Sequence, residues 1–303
     1  MASWQTVLSS NVSYGTEWQP MGTFYLDSWK NDVGALTVTL VGYDNFTMLD
    51  NIPFGDVGTG ANKNLYDLAV DVFQKAGITS YNIDQSLKNI TTVTGFKEQV
   101  SCRVALQHIG IAGLSAVYQD RYGVMQIKPF SSVAAGGNYT TYAGSGLYAG
   151  FDPFNTGAYT EINDGNGMKR LDLDNMWDVP EITLDKSIYQ VVVKVYSSTT
   201  DSTDYIQTNT AIAGSNGQSF TLDNPLINTT ARAQLVADWY INESNYNVVY
   251  KSNWRGNPVL ESADIVIISN GIDEAFAKQG RIYKQEFQYE GYLTCQTESR
   301  GGI

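Results

Sequence analysis

Residues Thr23–Leu40 read TFYLDSWKNDVGALTVTL. Thr23 to Trp29 alternates in polarity, Lys30-Asn31-Asp32-Val33-Gly34 has turn composition, and Leu36, Val38 and Leu40 alternate with Thr37 and Thr39. Successive side chains of an extended chain point to opposite faces, so this spacing predicts a β-hairpin with one buried apolar face.

Downstream the period changes. Leu65, Leu68, Ala69, Val72, Phe73 and Ala76 recur at helical intervals and predict an amphipathic helix over 64–76, with Asn62 as N-cap and Gly77 just past its end. A second helix is expected from Cys102 to Ala112, capped by Ser101. Val104, Ala105, Leu106, Ile109 and Ile111 surround it almost completely, which marks a buried helix. A short hairpin follows, Ala116–Tyr118 and Val124–Lys128, turning through Asp120 and Gly123. Residues 62–130 therefore read as a small α/β insert between strand regions.

Residues 131–170 are rich in Gly, Ser, Tyr and Asn and read as loops and short strands. Strand patterns return at Glu181–Leu184 and Tyr189–Tyr196, Asn216-Gly217 has the composition of a hairpin turn, and Ile265–Ile268 and Ile282–Tyr289 complete the series. In the last strand Tyr283, Phe287 and Tyr289 are expected on one face. A third helix fits Thr230 to Asn242, with Leu235, Val236, Trp239 and Tyr240 inward. The order strands, helical insert, strands thus occurs twice. The fold class is mainly β with α+β inserts, in two barrel-like β domains that each carry a small helix-containing insert. The expected division is 1–61 with 131–165 as the first barrel, 62–130 as its insert, 166–225 with 261–303 as the second barrel, and 226–260 as its insert.

Composition narrows the function. Of 303 residues 43% are hydrophobic, enough for real cores, with 20 Tyr, 11 Phe and 6 Trp. The 31 acidic against 19 basic residues give a net charge of −12, which repels a polyanion, and no basic cluster offsets it. Sequence-specific nucleic-acid binding is therefore not expected. Two distant cysteines, Cys102 and Cys295, make no disulfide framework and read as buried free thiols. No apolar run is long enough to span a bilayer, and no secretory signal is visible at the N-terminus.

Motifs for chemistry are few. The one histidine, His108, lies on the second helix beside Val104, Ala105, Ile111 and Ala112 and reads as a satisfied core residue; any Ser-His-Asp triad would have to use it. Asp172 and Asp174, or Asp152 beside Phe151 and Phe154, are carboxylates of the type that cleave glycans, but 31 acidic residues make chance pairs common. Asn163-Asp164-Gly165-Asn166-Gly167 lacks the spaced ligands and closing Glu of a calcium loop and reads as a tight turn. No phosphate-binding glycine loop occurs. The reading is of a non-enzyme with no catalytic, cofactor-binding or metal-ligating residues and no cofactor. Tyr139, Tyr142, Tyr148 and Tyr159 are suited to subunit contacts, and alternatively to stacking on sugars.

Five segments, in order, carry a family resemblance. GTFYLDSWKNDVGALTVTLVGYDNFTMLD (Gly22–Asp50), NLYDLAVDVFQKAGI (Asn64–Ile78), VSCRVALQHIGIAGLSAVYQDRYGVMQIKPF (Val100–Phe130), NPLINTTARAQLVADWY (Asn224–Tyr240) with GNPVLESADIVII (Gly256–Ile268), and QEFQYEGYLTCQTESRG (Gln285–Gly301) resemble successive parts of the tail-associated (Tal) baseplate hub proteins of long-tailed phages, a tail-tip hub family shared with contractile-phage baseplates. The resemblance spans about residues 20–301. It implies a homotrimer whose paired barrels form a ring around an axial channel, located in the virion at the distal end of the tail. The partners it implies are the distal tail protein, the tape-measure protein, and tail fibre or receptor-binding proteins. It also suggests a first barrel shorter than usual at the N-terminus. The alternatives are a glycan- or receptor-binding tail protein and, behind it, a cell-surface polysaccharide hydrolase.

Overall fold

A computed structural model describes residues 2–8, 13–19, 23–32, 34, 37–130, 170–171, 176–212, 214, 217–244, 246–257, 260–268, 278–289 and 292–301. The chain divides into two compact units. The first holds Met1–Pro129, Val192–Ile206 and Thr221–Val236; the second holds Phe130–Val191, Gln207–Phe220 and Ala237–Ile303.

The first unit begins with two separate antiparallel ribbons: β1 (Ala2–Leu8) with β2 (Ser13–Gln19), and β3 (Tyr25–Asp32) with β4 (Thr37–Tyr43). Helix α1 (Asn45–Asp50) and strand β5 (Pro53–Phe54) lead to α2 (Leu65–Lys75). The N-cap of α2 is Asn64, not the expected Asn62: Asn64 has extended backbone and its Oδ1 accepts from the Asp67 N–H at 2.8 Å, while Asn62 is left-handed at φ 58°. Gly77 follows the helix at φ +71°, the conformation that ends it. After β6 (Tyr81–Ile83), a 3-10 turn (Gln85–Asn89) and β7 (Val100–Ser101) comes α3 (Cys102–Gly113), with Ser101 Oγ accepting from the Val104 N–H at 3.3 Å. The hairpin β8 (Ser115–Gln119) and β9 (Met125–Pro129) completes the sheet order β6-β9-β8, with β6 parallel to β9. The helical insert formed by α2 to β9 has as its core the apolar stripe of α2 together with Leu106 and Ile109 of α3, Phe96, Leu87, Met125 and Ile127, all essentially inaccessible.

The rest of the first unit is joined to this insert by polar contacts. Val93 N–H donates to Asn228 Oδ1 at 2.7 Å, Thr94 Oγ1 donates to the Pro225 carbonyl at 3.0 Å, and Asn224 Nδ2 donates to the His108 carbonyl at 2.8 Å. Each bond ties residues more than 100 positions apart, and those of Thr94 and Asn224 satisfy groups that would be costly to bury alone.

The second unit is built on a six-stranded sheet of β10 (Arg170–Leu171), β11 (Glu181–Leu184), β15 (Val248–Trp254), β16 (Ile265–Ile268), β17 (Lys278–Tyr289) and β18 (Leu293–Gly301), in the order β10-β16-β17-β18-β15-β11. Between β11 and β15 the chain forms β12 (Ile188–Tyr196), β13 (Ser202–Thr208), β14 (Gln218–Leu222) and α4 (Thr230–Ser244). These four elements pass from one unit's residues to the other's. Strands β13 and β14 each flank β12, so the turn composition at Asn216-Gly217 does not join two paired strands. On one face of the large sheet Leu171, Met176, Val248, Tyr250, Trp254, Val266, Ile268, Ile282 and Cys295 form a core. Trp254 Nε1 donates to Thr297 Oγ1 at 2.8 Å, so the buried indole N–H keeps a partner.

Two side-chain expectations are corrected. Leu235 of α4 is 54% exposed; the buried positions are Ala233, Val236 and Ala237, a narrower stripe of small residues. A β-bulge between Ile282 and Lys284 interrupts the period-two pattern of β17. Tyr283 therefore parts from Phe287, which packs on the core, and its hydroxyl donates to Glu298 Oε2 at 2.9 Å. The fold is mainly β with small helical inserts.

Candidate interaction surfaces

The sequence predicts a buried face on the β3–β4 ribbon; the structure shows the face and leaves it uncovered. Register pairs Leu26 with Gly42, Trp29 with Leu40 and Asn31 with Val38, while a bulge absorbs Asp27. Leu26, Trp29, Val38 and Leu40 thus share one side, and the opposite side carries Tyr25, Tyr43, Ser28, Val41, Lys30 and Thr39. The four apolar residues are 62, 65, 57 and 66% exposed. A two-stranded ribbon is marginal by itself in water and needs a third strand or a packing partner. Contiguous exposed apolar patches of this kind mark interaction sites.

The first unit also contains a dense polar cluster. Asp223 accepts hydrogen bonds from Tyr196 OH at 2.6 Å and from Lys97 Nζ at 2.9 Å, with Lys194 Nζ at 3.6 Å. Burial acts to raise the Asp223 pKa, but the donors from Tyr196 and Lys97 outweigh it and hold the carboxyl below its ordinary range. For Lys97, burial lowers and Asp223 more than restores, leaving the ammonium above its usual pKa. Both groups are charged and mutually occupied, which is the chemistry of a brace and not of a proton donor awaiting a substrate.

His108 departs from the satisfied core histidine expected. It is half-buried, its ring sits 6.0 Å from that of Phe96, and its Nδ1 has no hydrogen-bond partner. Burial pushes its pKa down, with Asp223 opposing, so the ring is neutral near pH 7. Both cysteines are buried free thiols, as expected. Burial raises the Cys102 pKa and pushes that of Cys295 up to about 11, so neither is a reactive thiolate at neutral pH. Asp152, Asp172, Asp174, the Asn163–Gly167 loop and Tyr139, Tyr142, Tyr148 and Tyr159 lie outside the described residues. Among the described residues no three His, Cys, Asp or Glu side chains group to hold a metal, and no helix is long and apolar enough to cross a membrane.

The second unit carries a different kind of surface. Phe130 stacks on Trp239 with centroids 4.8 Å apart, Trp239 meets Tyr240 edge-on at 5.0 Å, and Tyr240 meets Phe220 at 5.1 Å. Arg281 lies 5.5 Å over Phe130 and forms an ion pair with Glu243. This aromatic ladder lines a cleft of about 550 Å³, and because its rings pack on one another they fasten the C-terminal part of α4 within the second unit. Sequence reading placed Trp239 and Tyr240 inward but had no means of finding their partners, which lie 20 to 110 residues away.

Solved structures of tail proteins share this fold. The 43 kDa tail protein of prophage MuSo2 from Shewanella oneidensis matches 98% of this chain and 88% of its own, with TM-score 0.58 and 13% identity. A tail protein from Neisseria meningitidis MC58 matches over 94% and 82%, with TM-score 0.63 and 9% identity. This chain has the fold of phage tail proteins. A chain in the virion of a native gene transfer agent particle matches over 82% of this chain and 50% of its own, with TM-score 0.50 and 14% identity. No protein-family model and no curated protein matches the sequence. Identities of 9–14% establish a common fold and carry no particular function with them.

Proposed function

We propose that this chain is a structural hub of a phage or phage-derived tail tip, acting without catalysis. Three copies form a ring around an axial channel, each contributing two barrel-like units with a small helical insert in each. The ring sits in the virion at the distal end of the tail, between the distal tail and tape-measure proteins on one side and fibre or receptor-binding proteins on the other. The observation that carries this reading is the uncovered apolar face of the β3–β4 ribbon, in a chain whose fold is shared along nearly its whole length with tail proteins. A face of Leu26, Trp29, Val38 and Leu40 is unfavourable in water and is stable when a neighbouring subunit covers it. The polar occupancy of the Lys97–Asp223–Tyr196 cluster, the neutral, half-buried His108 and the buried thiols support a structural role over an enzymatic one. Negative-stain electron microscopy of the purified chain tests it: the reading expects three-fold rings with a central hole, and a field of isolated single chains at micromolar concentration sinks it.

A further inference from the structure

On the side of the six-stranded sheet opposite its core lies an open cleft of about 610 Å³ with an unusual lining. Its origin is legible from the strands upward. Met176 bridges to Trp254 and is buried, and the Trp177 N–H donates to the Asn253 carbonyl at 2.8 Å, so the chain is pinned along β15. Alternation then sends the Trp177 indole to the solvent side, where it is 57% exposed. Tyr292, 61% exposed, meets it edge-on with centroids 6.2 Å apart. Below them register sets Asn253, Gln296 and Glu286 in one rank across three strands, with Gln288 in the next. Gln296 Nε2 donates to Asn253 Oδ1 at 2.9 Å, which fixes how both amides present their remaining groups.

From this we infer that the cleft of Trp177, Asn253, Gln296 and Glu286 is a binding site for a neutral oligosaccharide. An exposed indole held by pinned backbone offers a flat apolar surface to the C–H face of a sugar ring at little entropic cost. Planar amides and carboxylates offer paired donors and acceptors that suit neighbouring hydroxyls, and a few such groups beside an aromatic wall are the usual makeup of a small-ligand site. Charge decides against acidic glycans. Asp178 and Glu286 are the carboxylates of the lining, which has no lysine or arginine of its own; Lys284 beside it is paired with Glu286, and Lys251 also acts on that carboxylate. Every residue named belongs to the second unit, whereas the uncovered ribbon belongs to the first.

The test is a glycan microarray carrying neutral and acidic bacterial oligosaccharides, probed with the full chain, followed by calorimetry on the best neutral hit with Trp177→Ala, Gln296→Ala and, as a control away from the cleft, Leu235→Ala. The expected result is binding of at least one neutral glycan, weakened tenfold or more by Trp177→Ala and severalfold by Gln296→Ala, and unchanged by Leu235→Ala. Gln296→Ala keeps the test decisive if Trp177→Ala does not fold. Absence of any neutral glycan signal, stronger binding of acidic glycans or of peptides, or equal affinity of the cleft variants and the parent would overturn the inference. Rings on the microscope grid together with a silent array would overturn this inference alone; glycan binding by a single-chain species would overturn the hub reading alone.

Discussion

Replacing Trp29 and Leu40 by Ser separates folding from assembly. The two residues pair across the ribbon and are 65 and 66% exposed, so within one chain their side chains contribute little. Fully burying an apolar side chain stabilises by about 1.5–3 kcal/mol. With roughly 60% of each of four side chains still open, covering the face of Leu26, Trp29, Val38 and Leu40 is worth about 4–7 kcal/mol before association costs. The double variant removes about half of that, some 2–4 kcal/mol per contact, which is roughly a 30-fold or greater loss of association. Its isolated chain should unfold within a few degrees of the parent, because exposed substitutions usually change stability by no more than about 0.5 kcal/mol. Sedimentation velocity across a concentration series, beside thermal melts of dilute samples, measures both quantities. A variant that melts much lower yet associates as before would show that the ribbon face packs within its own chain, and the argument from exposure would fail.

Other outcomes follow from the same structure. Gly95 has φ +69°, and a Cβ there would lie 2.4 Å from the Thr59 carbonyl oxygen and 2.7 Å from the Ala61 nitrogen, so Gly95→Ala should destabilise by more than about 2 kcal/mol in chemical denaturation. Acid should unfold the chain in two steps. His108, whose folded pKa is depressed, favours the unfolded chain as pH falls below its ordinary 6.5, and Asp223, also depressed, loses its contribution as pH falls through and below 3.8; His108→Asn should flatten only the first step. At the alkaline end Tyr283 is raised to about 12 by burial and by its bond to Glu298, so its contribution is complete below pH 10 and is lost between 10 and 12; Tyr283→Phe should remove part of that loss from a pH titration of the melting temperature. Cys102 and Cys295 should react with a thiol reagent only when denaturant opens the cores.

What could be read from the residues depended on how local the determining physics was. The stripe of Leu65, Leu68, Ala69, Val72 and Phe73 is complete within three turns, so α2 and its buried face are plain in the pattern. Capping was less plain, because Asn62 and Asn64 both suit the role and the choice fell to backbone geometry. The bulge in β17 was invisible, since one inserted residue leaves composition untouched while moving Tyr283 to another face. The ribbon shows a further limit. Period-two alternation reports that one side of β3–β4 is apolar, but the same pattern arises whether the cover is intramolecular or belongs to another chain. The cleft at Trp177 was missed because its rank of Asn253, Gln296 and Glu286 is assembled by strand register over more than 30 residues of sequence. An isolated tryptophan beside Asp178 was the one local signal.

The central claim is that the uncovered ribbon belongs to a closed ring of three chains. Mass photometry of the purified chain, diluted from micromolar stock, measures this directly. The expected result is a population at three times the mass of a single chain that shifts to single chains in the Trp29→Ser, Leu40→Ser variant. A parent protein that remains a single chain throughout would contradict it.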